Sequence, residues 1–478
     1  MQVESSKILT AKKPLLKKLL ERLLTEYSYV SILACDSEEK SYGISKNGTF
    51  IAESELFNEI GYVIKAYDKE SYGEYSFNEL NEDNLETIAA AVKEHLMPWK
   101  DALPKNVGVK QYGAFTEEET AFEKSTECEI NPKTVGDDKI IDQVIKLREK
   151  VLKSDESILD CQVRYEYQIY HKLFLSPKKD MMQNVMLSSA MMFAMAGRGE
   201  KVESAFKASS VCGGFEVMDS MEKQIPALVD TLKALLTSEP ITPGEYDCIC
   251  APDVTGMIVH EAFGHGVEMD MFVKKRALAE KYVGEYVASP LVTMHDGAAA
   301  QGVEQTATYF FDDEGTLAQD TVIIEKGILK KGICDAQAGM ALGSVPTGNG
   351  RRQNMDHKAY TRMTNTFFEA GTDKVEDMIA SIEHGFLLEN ATSGMEDPKN
   401  WGIQCMVGLA KEIKDGKLTG KIYSPIVLTG YVPDLLKSIS MMSDEIELCG
   451  AGMCGKGYKE WVKVSDGGPY IKARIRLG

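Results

Sequence analysis

The stretch Ser238-Glu-Pro-Ile-Thr-Pro-Gly244 constrains this chain more than any other feature, because two prolines and a glycine within seven residues cannot continue a helix or the interior of a sheet. The segment before it, with Leu232, Leu235 and Leu236, carries helical spacing. The chain after it is rich in glycine and in short β-like runs. At 478 residues the chain is long enough for two separately cored units. We therefore place a boundary here and expect an N-terminal domain over 1–237 and a C-terminal domain over 238–478.

The first part reads as mixed helix and strand. Lys12, Lys13, Lys17, Lys18 and Arg22 interleave with leucines 15, 16, 19, 20, 23 and 24, the pattern of an amphipathic helix with Pro14 in its first turn. A packed helix with a solvated face explains this better than a membrane-surface helix. Tyr29 to Ala34 is a strand candidate, and Asn47-Gly48 turns the chain into Thr49 to Ala52. Helical spacing recurs over 84–96 and 137–153, and Trp99 to Ala114 reads as a connector. Val163, Tyr165, Tyr167 and Ile169 alternate as a half-buried strand does, followed by a strand pair at Val185 to Met195 and Glu203 to Ala208. The methionines of 181–195 read as core filling. Beyond the boundary, Thr306 to Phe311, Thr321 to Glu325 and Lys421 to Leu428 are β-like. The expected class is α+β, a mixed α/β domain followed by a largely antiparallel, barrel-like β domain that carries the histidine-bearing helix.

A net charge of −19 argues against nucleic acid, since phosphate backbones are bound mainly by Lys and Arg. No apolar run reaches the roughly 18 residues a membrane span needs, and the start lacks a signal-peptide pattern, so a cytoplasmic protein is expected. Ten cysteines scattered without a CxxC pair are expected to be thiols.

Only seven histidines occur, yet two fall within six residues, in Val259-His-Glu-Ala-Phe-Gly-His265. This is HExxxH, one residue longer than the HExxH of helical zinc peptidases. On a regular helix residues five apart diverge by roughly 140°. His260 and His265 can share a metal only if the turn widens to a π-type bulge or is otherwise broken, and Gly264 sits where such a distortion is tolerated. Two imidazoles leave a catalytic zinc one protein ligand short. Glu268, Asp270 and a distant cysteine such as Cys454, in a glycine-dense loop, are all candidates. Spacing does not choose among them.

With His260 through Asp270, the motifs Asp312-Asp-Glu-Gly-Thr316, Thr347-Gly-Asn-Gly-Arg-Arg352, Arg362-Met-Thr-Asn-Thr366 and Met453-Cys-Gly-Lys456 make five collinear words. The sequence in this order resembles the TldD/PmbA family, and within it the TldD-like catalytic branch. The resemblance covers most of the second domain and is weaker over the first. It implies a metallopeptidase in which His260, His265 and Cys454 hold one divalent metal per chain, zinc or else iron, with Glu261 as general base. It also implies a peptide or unfolded polypeptide as substrate. The assembly it implies is a homodimer, or a heterodimer with a paralogous inactive subunit, with the first domain supplying substrate and dimer contacts. The family commonly continues Gly-Lys-x-Gly-Gln, whereas here Lys456 is followed by Gly457-Tyr458.

Arg351, Arg352 and Glu268 are candidate substrate contacts, the arginines by neutralising an oxyanion or holding a peptide's C-terminal carboxylate; the competing reading of both arginines is a structural ion pair. Asp312 to Gly315 reads as a hairpin turn rather than a cation loop, and Arg362 to Thr366 as structural. The alternative from another class is a non-enzymatic, partner-binding regulator whose metal serves folding.

Overall fold

The computed structural model describes residues 1–54, 56–69, 71–96, 113–457 and 460–478. An eight-stranded sheet dominates the first half. Its order is Tyr72–Phe77, Glu59–Tyr67, Tyr29–Ser45, Ile158–Leu175, Lys179–Arg198 and Thr120–Ser125, with Gly48–Glu53 paired to Tyr29–Ser45 and Lys201–Val211 to Lys179–Arg198. Successive side chains of the long strands point to opposite faces of the sheet, and both faces are buried over much of their length. Val30, Ile32 and Ala34 pack with Leu9, Leu16 and Leu19 of the helix Lys7–Leu24, while Val163, Tyr165 and Tyr167 pack with Val144, Leu147 and Leu232 of the helices Asp137–Ser154 and Ile225–Leu236. Leu33 and Cys35, on the other face, meet Phe311 and Met355 of the second half.

The second half contains a closed five-stranded barrel. His384–Asp397 pairs with Gly244–Cys250, then Ile471–Leu477, Ile426–Tyr431 and Gly402–Lys414 follow, and the last returns to His384–Asp397. Only the pairing of Gly244–Cys250 with His384–Asp397 is parallel. A six-stranded sheet that includes Met294–Gly297, Asn365–Phe368 and Ser465–Gly468 lies beside it, and Met453–Lys456 forms a two-stranded ribbon with Glu460–Lys463. The expected fold class, with its barrel, is present.

Three expectations need correction. Thr306 to Phe311 is not a strand; Phe311 makes a single bridge to Leu317, and Gln183 receives the backbone N–H of Phe310 at 2.8 Å from across the sheet. Lys421 to Leu428 is two strands, broken at Ser424-Pro425 because proline cannot donate to the ladder. The opening helix begins at Lys7, capped by Ser6, whose Oγ accepts the N–H of Leu9 at 3.0 Å, so Pro14 lies inside it. Its basic face is paired, with Lys13 and Lys17 on Asp180 and Arg22 on Glu26 and Glu86. The connector over 99–112 and Tyr458 lie outside the described residues. Among the described residues no helix is long and apolar enough to cross a membrane.

Candidate metal centre

The histidine pair sits on a compound helix. Pro252 opens the regular turn Pro252–Met257, a π turn follows over Ile258–Gly264, and a 3-10 turn over His265–Val267 closes it. The N–H of His265 bonds the carbonyl of His260, five residues back. That widened turn is the one the HExxxH spacing demands, and it brings the two rings to 5.1 Å between centroids at 89°. Gly264 serves close packing rather than an unusual φ, since a Cβ there would lie 2.2 Å from the Met363 sulfur.

Cys454 arrives from the ribbon Met453–Lys456, opposite Val462, with its Sγ 3.3 Å from His265 Nε2. One donor atom from each of His260, His265 and Cys454 lies within 4.8 Å of the other two, and the described residues contain no other such group of three or more. Glu268 and Asp270 stand outside this group. Glu268 is buried and its Oε2 faces His265 Nδ1 at 3.1 Å and Lys456 Nζ at 3.0 Å. Asp270 pairs with Lys274 at 2.9 Å and with Lys456 at 2.6 Å.

The electrostatics follow from this packing. Burial raises the Cys454 thiol, but the imidazoles of His260 and His265 outweigh it and bring it down to about 4. Burial lowers His265, yet the Glu268 carboxylate and the Cys454 sulfur hold it well above the ordinary imidazole range. Burial likewise disfavours charge on Glu268, and Lys456 and His265 reverse that, holding it down at about 2. Asp466, 3.9 Å from His260 Nδ1, is pushed up to about 6 by burial.

Two imidazoles and a thiolate are the donor chemistry of zinc or iron. His260 Nδ1 is buried with no hydrogen-bond partner among the described residues, an orphaned atom beside that set. The residues fit a single divalent ion.

Glu261 lies on the π turn under the strand His384–Asp397, where a Cβ on Gly394 would come within 2.4 Å of its Cγ. The strand passes the carboxylate at a glycine for want of space. Two residues on, and so on the same face, Glu396 buries both carboxylate oxygens beside the backbone of Gly266, with no well-aligned hydrogen-bond partner among the described residues.

The arginines are elsewhere. Arg351 donates to the carbonyls of Met363 at 2.6 Å and Lys463 at 2.7 Å, and Arg352 donates to the His357 carbonyl at 2.7 Å and pairs with Glu74. These contacts favour the structural reading of both. Asp312 caps its own turn, accepting the N–H groups of Glu314 and Thr316, while Thr364 and Thr366 hydrogen-bond Asp296. Sequence reading missed Lys456, Glu396 and Asp466 as neighbours of the centre. For Lys456 a signal existed, since it lies two residues after Cys454 and so shares its face of the strand.

Residues 243–476 match the family model described as the PmbA/TldA metallopeptidase C-terminal domain. A metalloprotease of Methanothermobacter thermautotrophicus is 29% identical over 283 residues, 59% of this chain and 61% of that protein, so the chain spans about three fifths of that relative's length. A metalloprotease of Methanocaldococcus jannaschii is 25% identical over 95% of this chain and 97% of its own length. A protein named zinc metalloprotease TldD homolog, from Saccharolobus solfataricus, is 27% identical over 71% of this chain and 75% of its own length. The crystal structure of TldE from Thermococcus kodakarensis superposes with a TM-score of 0.74 at 16% identity, over 97% of this chain and 99% of that one, and shares the fold.

The family model over the second half is that of a metallopeptidase domain, and the relatives bear metalloprotease names. The chain belongs to the TldD/PmbA family.

Proposed function

We propose that the chain is a metal-dependent peptidase of the TldD-like branch, with one divalent ion, zinc in the first instance, held by His260, His265 and Cys454. The observation that carries this reading is the convergence of three donor atoms from two distant segments within 4.8 Å. It is supported by the HExxxH motif and by the Saccharolobus relative, which is named a zinc metalloprotease. An ion held there supplies Lewis acidity toward a peptide carbonyl and toward water.

The chain's own residues do the rest. Glu261, next to His260 in the chain, takes a proton from water at its carboxylate and returns it to the leaving amine. Glu268 accepts the Nδ1 proton of His265, which leaves the Nε2 lone pair directed at the centre. The strand His384–Asp397 pairs on one side with Gly402–Lys414 along its length, but on the other with Gly244–Cys250 only as far as Leu388. Beyond Ala391, whose N–H is held by Asp253, the strand has no partner strand on that side among the described residues and runs past Glu261, an edge to which an extended, unfolded polypeptide adds through main-chain hydrogen bonds. We place the protein in the cytoplasm, acting as a homodimer or beside a paralogous inactive subunit.

Glu261→Gln tests the assignment, because the amide keeps the shape and cannot take a proton. Retained metal with cleavage of an unstructured peptide lowered by roughly a hundredfold or more is expected; cleavage at the wild-type rate would overturn it. Compact folded proteins should be spared, and their rapid digestion would count against an unfolded substrate.

A further inference from the structure

The two segments that carry the three donor atoms are 189 residues apart in the chain, and one side chain bridges them. Lys456 Nζ lies 3.0 Å from Glu268 Oε2, 2.6 Å from Asp270 Oδ1 and 2.9 Å from the Thr361 carbonyl, which accounts for all three ammonium hydrogens. Glu268 Oε2 also faces His265 Nδ1 at 3.1 Å. Lys456 and Cys454 project from the same face of one strand, while Glu268 and Asp270 follow His265 directly. A continuous path thus runs from Cys454 along two residues of backbone to Lys456, on to Glu268 and to the ring of His265.

We propose that Lys456 is a positioning residue for the metal centre, locking the thiolate ribbon onto the histidine turn through Glu268. This rests on His260, His265 and Cys454 being the ligand set. The physical case is that Glu268 and Asp270 are two nearly buried carboxylates beside one another, 1% and 10% exposed at the side chain, and Lys456 is the cation both share. Without it Glu268 loses its lysine partner, while Asp270 keeps only Lys274 at 2.9 Å, and Glu268 would turn away from His265, freeing that ring to rotate and to change tautomer. The ribbon itself would stay folded, because its strand pairing, to which Lys456 contributes only backbone, and the two Arg362 hydrogen bonds to the Cys454 and Glu460 carbonyls do not involve the Lys456 side chain. Loss of Lys456 therefore acts on the metal more than on the fold.

The test measures zinc affinity by competition with a chromophoric chelator, and the absorption of the cobalt-substituted protein, for wild type, Lys456→Met, Lys456→Arg, Glu268→Gln and the double variant Glu268→Gln/Lys456→Met. Lys456→Met is expected to weaken zinc by roughly 10- to 100-fold and to alter the cobalt spectrum. Lys456→Arg, which keeps the charge, should recover most of the loss, and the double variant should be no worse than the poorer single one, as for residues acting through one contact. Wild-type affinity and spectrum in Lys456→Met, or losses that add in the double variant, would overturn the proposal. Should Lys456→Met not fold, Lys456→Gln is read in the same way. A wild-type protein that binds zinc without a thiolate-to-cobalt band would remove the ligand set itself, which is a distinct result.

Discussion

The guanidinium of Arg362 donates a hydrogen bond of 2.6 Å to the backbone carbonyl of Cys454, and a second of 2.9 Å to that of Glu460, so one buried side chain holds both strands of the thiolate ribbon. Arg362→Met leaves two carbonyls without their donor, that of Cys454 buried and that of Glu460 half-buried. A loss of about 2–4 kcal/mol is expected, read as a lowered thermal midpoint. An unchanged midpoint would contradict this role.

Gly264 gives a second handle on the same centre. A Cβ there would meet the Met363 sulfur at 2.2 Å and the Val259 carbonyl at 3.2 Å, and Met363 is fully buried. Gly264→Ala should cost about 1–3 kcal/mol by overpacking and lower metal occupancy, since the π turn has to shift. Adding Met363→Ala should restore part of both, and no restoration would show that the crowding lies elsewhere.

The reactivity of Cys454 should depend on pH in an unusual window. Its pKa in the folded chain lies at about 4, below the ordinary thiol value near 9, so the thiolate persists as pH falls and is lost only as pH drops through about 4. Chelator-treated protein should then alkylate at Cys454 at a nearly constant rate from pH 8 down to about pH 5, with metal protecting. A rate that falls tenfold per pH unit below 8 would show an ordinary thiol.

Removal of metal should not unfold the second half. Its main core is one large cluster running from Cys248 through Phe263, Ile323, Trp401 and Ile475, with a smaller one around Ile249, Met378 and Ile413. Chelation should remove only the linkage free energy, about 4 kcal/mol at a thousandfold excess of metal over Kd. Loss of peptide cleavage with unchanged far-ultraviolet circular dichroism is the expected pair of observations. Melting of the second half on chelation would favour a folding role for the metal instead.

Much of this was legible in the residues. The period-two run at Val163 to Ile169 located a strand that proves to span Ile158–Leu175, and helical spacing found Asp137–Ser154 almost to the residue. That the turn at His260 to His265 must be distorted followed from helix geometry, and of the two ways, a π turn or a break, the chain adopts the π turn. What sequence could not reach is long-range. Nothing local links Lys456 to Glu268, Arg362 to the Cys454 carbonyl, or Glu396 to the helix that carries Glu261, because these contacts depend on how barrel and ribbon pack. Glu268 illustrates the difficulty: its spacing from His265 suits a third ligand, and only tertiary structure shows Lys456 already on its oxygen. Thr306 to Phe311 has β-prone residues but packs as an irregular segment against the long strands, where Gln183 takes its backbone hydrogen bonds.

X-ray absorption at the zinc edge, on protein purified without added metal, tests the convergence of His260, His265 and Cys454 most directly. We expect one equivalent per chain, with one sulfur at about 2.3 Å and two imidazole nitrogens in the wild type, and loss of the sulfur shell in Cys454→Ser. A wild-type shell of nitrogen and oxygen alone, unchanged by Cys454→Ser, would contradict the metal centre described above.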